Sequence, residues 1–312
     1  MIDVKNLTKQ YGSRKAIDSI SFTVNQGEVV GFLGPNGAGK TTTMNIMTGF
    51  IAATSGDVTI NGTDIISEPE KAKSNIGYLP DTPPVYGDMR VIEYLNFVAD
   101  IKGVKKGRKE MLNHAMEQVS IGDIPRRLIK NLSRGYRQRV GLAQAMIGNP
   151  KVIIMDEPTI GLDPKQIIDM RNVIKNLAKN HTVILSSHIM QEVSAVCDRV
   201  MIINKGKIVA TGTPETLSSG ISKTNMQVRL KAEEETIRTA LLEYPEITTV
   251  ETVSQAEEGT TELILGGNGD IREIIFNCMA KNNLPILNMK STEMTLEEIF
   301  LSLTGGYNDG DI

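Results

Sequence analysis

Hydrophobic positions along the first two thirds of the chain fall into short β-branched runs separated by longer stretches of helical spacing, the pattern of an α/β domain with a largely parallel sheet. Val29 to Leu33, Val152 to Met155 and Val183 to Ser186 read as buried strands. Asp57-Val58-Thr59-Ile60 runs into Asn61-Gly62, a dipeptide suited to the positive φ angles of a tight hairpin, which predicts an antiparallel edge. From about Val91 to Ile147 the strand signal gives way to helical periodicity. Val91, Tyr94, Leu95, Val98 and Ile101 are spaced to share one face, so residues about 86–150 read as a helical subdomain.

Thr213-Pro214 through Lys223, with Ser218-Ser219-Gly220, is short and polar and marks the expected end of a first domain, 1–216. In the second unit, 225–304, the pattern predicts a strand at Met226–Leu230, a helix at Thr236–Leu242, and strands at Thr249–Val253 and Glu262–Leu265. A helix at Ile271–Asn282, a strand at Ile286–Met289 and a last helix from Thr295 follow. The order βαββαβ is that of a small ferredoxin-like α+β sandwich. Gly305–Ile312, rich in Gly and Asp, reads as a mobile tail. No internal repeat is present.

Composition narrows the classes. The chain has 312 residues, 40% hydrophobic and 23% charged, so it folds with a real core. Its net charge of −3 gives no global basic field, and nucleic acid is disfavoured as a partner. The two cysteines, Cys197 and Cys278, are far apart and suggest neither a disulfide framework nor a zinc site. No apolar run reaches the roughly 18 residues that span a bilayer, and the first residues lack a secretory layout. A soluble or peripheral protein of the cytoplasm is expected.

Gly34-Pro35-Asn36-Gly37-Ala38-Gly39-Lys40-Thr41 follows a predicted strand and precedes a predicted helix, the context a phosphate-binding loop requires. Glycines let successive N–H groups turn toward β and γ phosphates, the helix start adds positive charge, and Lys40 adds a full cation. Thr41 offers a hydroxyl to Mg²⁺, and Thr42 continues the same turn. Val152-Ile153-Ile154-Met155-Asp156-Glu157 is an apolar strand ending in two adjacent carboxylates, costly unless a cation or a reaction needs them. Asp156 would hold Mg²⁺ through water, and Glu157 would polarise the attacking water as general base.

Leu132-Ser133-Arg134-Gly135-Tyr136-Arg137-Gln138-Arg139, upstream of Asp156, resembles the signature motif of the ATP-binding cassette (ABC) family. Gly161-Leu162-Asp163 resembles its D-loop, Ser187-His188 its switch histidine, and Tyr11 lies where the family places an aromatic against adenine. Alone, such a tyrosine is more often packing than stacking. The motifs cover about Met1–Pro214 in order, so the chain resembles an ABC-type P-loop NTPase with an antiparallel β subdomain and a helical subdomain.

That resemblance implies a head-to-tail dimer, homodimeric or heterodimeric, with ATP between the phosphate loop of one protomer and the signature of the other. Ser133 and the Gly135 N–H would then contact the γ-phosphate across the interface, and His188 would sense it. It also implies multi-span membrane permease subunits as partners and a place at the cytoplasmic face of the membrane, where ATP hydrolysis powers transport. Three residues depart from the family pattern: in the signature Arg134 stands where glycine is usual and Tyr136 where glutamine is usual, and Asp81, in Ile76-Gly77-Tyr78-Leu79-Pro80-Asp81, stands where glutamine is usual. Asp81 either approaches Mg²⁺ or caps the turn after Pro80. Tyr136, in place of the usual glutamine, removes that side chain's polar contacts. These departures, with Thr295–Phe300, are similar to the bacterial branch that exports drugs, antibiotics, lipids or sodium. A soluble ABC ATPase acting on ribosomes or DNA is the alternative, against which stand the single cassette and the lack of sustained heptads.

Overall fold

The computed structural model describes residues 1–220, 225–254, 259–267, 269–292 and 300. It opens with β1 (Ile2–Tyr11), β2 (Arg14–Val24) and β3 (Val29–Leu33), then α1 (Lys40–Met47), β4 (Ser55–Ile60), β5 (Thr63–Asp64), α2 (Pro69–Ser74) and β6 (Ile76–Leu79). Three helices follow, α3 (Val91–Ile101), α4 (Arg108–Gln118) and α5 (Arg134–Met146). The chain returns to the sheet with β7 (Val152–Asp156), α6 (Pro164–Leu177), β8 (Thr182–Ser187), α7 (Met190–Val196), β9 (Arg199–Asn204) and β10 (Lys207–Gly212).

The central sheet has the order β10-β9-β3-β8-β7-β6. All neighbours from β9 to β6 are parallel, and β10 closes one edge antiparallel to β9. β3, β7 and β8 are buried at every residue, which is why they read as unbroken apolar runs rather than alternating ones. A second, antiparallel sheet has the order β2-β1-β4-β5. Its β4–β5 turn is the predicted one, with Asn61 at φ 50° and Gly62 at φ 76°. The two sheets share one core, in which Ile2, Val4, Ile60, Phe32 and Ile154 surround Met44 and Met47 of α1. Phe22 and Phe32 meet edge to face, ring centroids 5.0 Å apart, an arrangement aromatic pairs favour.

In the helical subdomain the predicted face of α3 holds at Val91, Tyr94, Leu95 and Val98, all buried, but Ile101 is 69% exposed. Burial continues at Ala99 instead; position 101, seven residues after Tyr94, lies within about 20° of it around the helix, but it is the last residue of α3 and stays exposed. Leu95→Ala should therefore cost about 2–5 kcal/mol, whereas Ile101→Lys should stay within about 0.5 kcal/mol. Urea unfolding midpoints of the two variants check this. An equal loss from both would place Ile101 inside the seam.

The chain divides at Pro214/Glu215 into two compact units, slightly before the expected boundary. The expected polar linker begins as a helix, α8 (Pro214–Gly220), with Pro214 at a helix start, where its missing N–H costs nothing. The second unit contains β11 (Asn225–Leu230), α9 (Glu234–Leu241), β12 (Ile247–Ser254), β13 (Thr261–Gly267), α10 (Arg272–Lys281) and β14 (Ile286–Thr292). Its antiparallel sheet has the order β12-β13-β11-β14. Alternate residues Met226, Val228 and Leu230 of β11 pack on Ile237 and Leu241 of α9 and on Ile275 and Met279 of α10, as period-two burial demands. The expected linker's residues 221–223 and the tail 305–312 lie outside the described residues. So does the expected last helix from Thr295, except for Phe300, which is helical.

Candidate functional site

Four adjacent parallel strands, β3, β8, β7 and β6, deliver the chain to one edge of the sheet at their carboxyl ends. In register, Leu33 faces Ser187, Asp156 faces Ser186 and Leu79 faces Met155. The residues that follow these positions, Gly34, His188, Glu157 and the Pro80-Asp81 turn, therefore converge, as loops do at the carboxyl edge of an open α/β sheet. His188, Glu157 and Asp81 border a cleft of about 720 Å³.

Asn36, Gly37, Gly39, Lys40, Thr41 and Thr42 line that cleft with Tyr11, Asp81, Asp156, Glu157 and His188. Gly34, Pro35 and Ala38 support it from behind. The Gly34 N–H donates to the Ser187 carbonyl at 3.4 Å, and the Pro35 carbonyl accepts from the Ala38 N–H at 3.2 Å. The Ala38 carbonyl accepts from Gly206 at 2.9 Å. Gly39, the residue before α1, has φ 113° and approaches the Ala16 carbonyl so closely that a Cβ would sit 2.7 Å from it. Only glycine fits both conditions. Ser133 and Gly135 do not line the cleft. Ser133 caps α5, its Oγ accepting from the Tyr136 N–H at 3.3 Å, and a side chain on Gly135 would collide with Gln166.

Lys40 is only 5% exposed. Its Nζ donates to the carbonyls of Gly34 (2.8 Å) and Pro35 (3.4 Å) and lies 3.3 Å from Glu157 Oε1. The other oxygen of Glu157 is 2.9 Å from His188 Nδ1. Glu157 takes the left-handed backbone conformation, φ 47°, uncommon for a residue with a side chain and concentrated at functional positions. The Ser186 hydroxyl accepts its N–H at 3.0 Å and donates to Asp156. Burial pushes the Asp156 carboxyl up from its ordinary value, opposed by hydrogen bonds from Ser186 and Thr41.

A divalent cation would reverse that burial penalty. The Thr41 hydroxyl and the Asp156 carboxylate fit Mg²⁺, which takes one or two protein oxygens and completes its shell with water and phosphate. Among the described residues no three His, Cys, Asp or Glu side chains gather to hold a metal by themselves. Asp81 does not cap its turn through Oδ1, which is buried and has no hydrogen-bond partner. Tyr11 is 53% exposed, so its ring is not core packing.

Several lining or supporting residues were not singled out from the sequence. Arg14 and Ala16 line the cleft because β1 and β2 pair with Tyr11 opposite Arg14; the Gly12-Ser13 turn between them is the signal that would have found Arg14. Ser186 shows as a polar residue at the end of an apolar strand. Glu192 on α7, almost fully buried, accepts hydrogen bonds from the hydroxyls of Thr159 and Ser187. It thereby joins the segments after Glu157 and before His188.

A strand–phosphate loop–helix unit with a carboxylate pair at the end of a strand two places away in the same parallel sheet defines a P-loop nucleotide-binding protein. Residues 17–160 match the ABC transporter family. The chain is 32% identical over 311 residues to the bacitracin transport ATP-binding protein BcrA of Bacillus licheniformis, with 98% of each chain covered. It is 32% identical over 308 residues to the linearmycin resistance ATP-binding protein LnrL of Bacillus subtilis (strain 168), again with 98% of each covered. The dimeric structure of MJ0796, a bacterial ABC transporter cassette, superposes with a TM-score of 0.62 at 25% identity, covering 68% of this chain and 98% of that one. The chain belongs to the ABC transporter family, as an ATP-binding subunit. Among its described residues no helix is long and apolar enough to cross a membrane.

Proposed function

We propose that this chain hydrolyses ATP to drive export through separate multi-span membrane permease subunits, working at the cytoplasmic face of the membrane as one of a head-to-tail pair of cassettes. The observation that carries the reading is the Glu157 carboxylate, held between Lys40 and His188 at the mouth of the phosphate loop. In that position it can accept a proton from water directed at a γ-phosphate, while Lys40 and the loop N–H groups hold the phosphate oxygens. Tyr11 offers an open ring to adenine. Thr41 and Asp156 would hold Mg²⁺, with Asp81 beside them in the cleft; the ion would supply neutralisation of phosphate charge. His188 contacts the γ-phosphate and orients Glu157.

Ser133 and Gly135 lie outside their own cleft, so they serve the cleft of a partner, a second copy or a related cassette. The cassette of MJ0796, to which this chain is similar, is dimeric. The export assignment rests on BcrA and LnrL, relatives along almost the whole chain that are named for bacitracin transport and linearmycin resistance. Neither name involves ribosomes or DNA, so that alternative has no support.

The permease surface is read at Tyr86 and Met89, in the segment after Asp81. Tyr86 is exposed and meets Tyr94 and Phe97 edge to face, an aromatic platform of the kind that receives a partner helix. Tyr86→Glu with Met89→Glu should abolish copurification with the permease while soluble ATPase activity stays normal. An undiminished complex would remove this surface from the reading, and ATPase activity absent from the unmodified chain in every assembly would overturn the function itself.

A further inference from the structure

Two of the three departures from the family pattern, Arg134 in the signature and Asp81 after β6, meet in space. Arg134 NH2 lies 3.8 Å from Asp81 Oδ1, an oxygen shut off from solvent that has no hydrogen-bond partner. On its other side the guanidinium lies against Gly161, where φ is 70° and an added Cβ would stand 2.7 Å from the guanidinium carbon. Arg134 is also the first residue of α5, whose first turn carries no acidic side chain. A cation there opposes the positive end of the helix dipole, and Asp81, from another segment, supplies the counter-charge.

The contacts of this one side chain join three segments. Asp81 lines the cleft, as does Ile160, the neighbour of Gly161, whereas Arg134 does not. Ser133, whose side chain and carbonyl frame the start of α5, is its direct neighbour in sequence. We propose that Arg134 is a positioning residue that relays the state of a protomer's own nucleotide cleft to the signature face the same protomer presents, through Asp81 on one side and the Gly161 loop on the other. The inference rests on the cleft being the ATP site. The two side chains are each about half exposed although that one oxygen is covered; an ion pair so placed is weak, and weakness suits a relay. When Asp81 turns toward a nucleotide in the cleft it leaves Arg134 without its counter-charge, and the start of α5 loosens.

Spatial proximity alone does not establish coupling, and a double-mutant cycle does. The probe is amide hydrogen exchange at Arg137 and Gln138 in the full chain, Arg137 being the residue whose N–H donates to the Ser133 carbonyl. Without nucleotide, Asp81→Asn should raise that exchange about 2- to 5-fold, the range an exposed pair supplies. In the Arg134→Gln background the same change should have no effect. ATP with Mg²⁺, at a protein concentration where light scattering shows monomers, should raise exchange in the wild type and leave Arg134→Gln unmoved. An equal effect of Asp81→Asn in both backgrounds, or an equal ATP response in both, overturns the relay. ATP binding, followed in the same samples by a fluorescent analogue, separates the two levels. Binding without coupling removes only the relay, and no binding by the wild type removes the ATP-site reading on which it stands.

Discussion

Glu157→Gln lowers the ATP turnover of the full chain by about 10² to 10⁴, the usual contribution of a positioned base, while ATP binding remains and a dimer accumulates with ATP and Mg²⁺. The amide keeps the size of the side chain and can still accept from Lys40, which lies 3.3 Å from Oε1. It loses the carboxylate that faces His188 at 2.9 Å and can no longer take a proton from water. Binding survives because Lys40 and the loop N–H groups, not Glu157, hold the phosphates. The dimer persists because its release follows hydrolysis. Turnover measured with gel filtration decides the matter: a rate near wild type together with only monomers in ATP and Mg²⁺ would take the base role away from Glu157.

Complementation between two inactive variants is the second large effect. Lys40→Ala should weaken nucleotide binding about 10- to 150-fold, the range of hydrogen bonds to charged groups. Ser133→Arg should leave binding to the monomer intact and block hydrolysis. Ser133 also caps α5, and losing a cap costs about 0.5–2 kcal/mol, so circular dichroism must first show that this variant is folded. In a mixed dimer one of the two sites combines an unaltered phosphate loop with an unaltered signature. Activity should therefore reappear on mixing, at up to half the wild-type rate if the sites act independently. Mixed dimers that form but stay inactive would argue against a site shared between protomers.

What could be read from the chain follows how local each cause is. The Asn61-Gly62 turn is set by the conformational freedom of two residues, and it forms as expected. The phosphate loop and the Asp156-Glu157 pair stand out because each is a polar or glycine-rich interruption at the end of an apolar strand, and both line one cleft. Strand order is different. Nothing local in β8 says that it lies between β3 and β7, since that placement is decided by crossover helices and packing over more than a hundred residues. Arg14 looks like one more exposed cation until the β1–β2 register sets it opposite Tyr11. Glu192 reads as an ordinary helical glutamate, and only the fold shows its carboxylate buried beneath Thr159 and Ser187. The face of α3 was legible until its last residue, where Ile101 keeps the spacing but ends the helix exposed.

If Ser133 and Gly135, which stand apart from the cleft that Lys40 lines, serve a partner's cleft as proposed, a free chain carries two halves of different sites, and its reaction order should show it. In dilute solution the specific activity should rise in proportion to protein concentration, since each active unit needs a collision between two copies. Held side by side on one permease, the second copy is present at an effective concentration of about millimolar, and the rate per chain no longer depends on how many chains are in the tube. On the proposed reading, membrane assembly would switch the enzyme on by supplying a neighbour, and an unassembled subunit would waste little ATP.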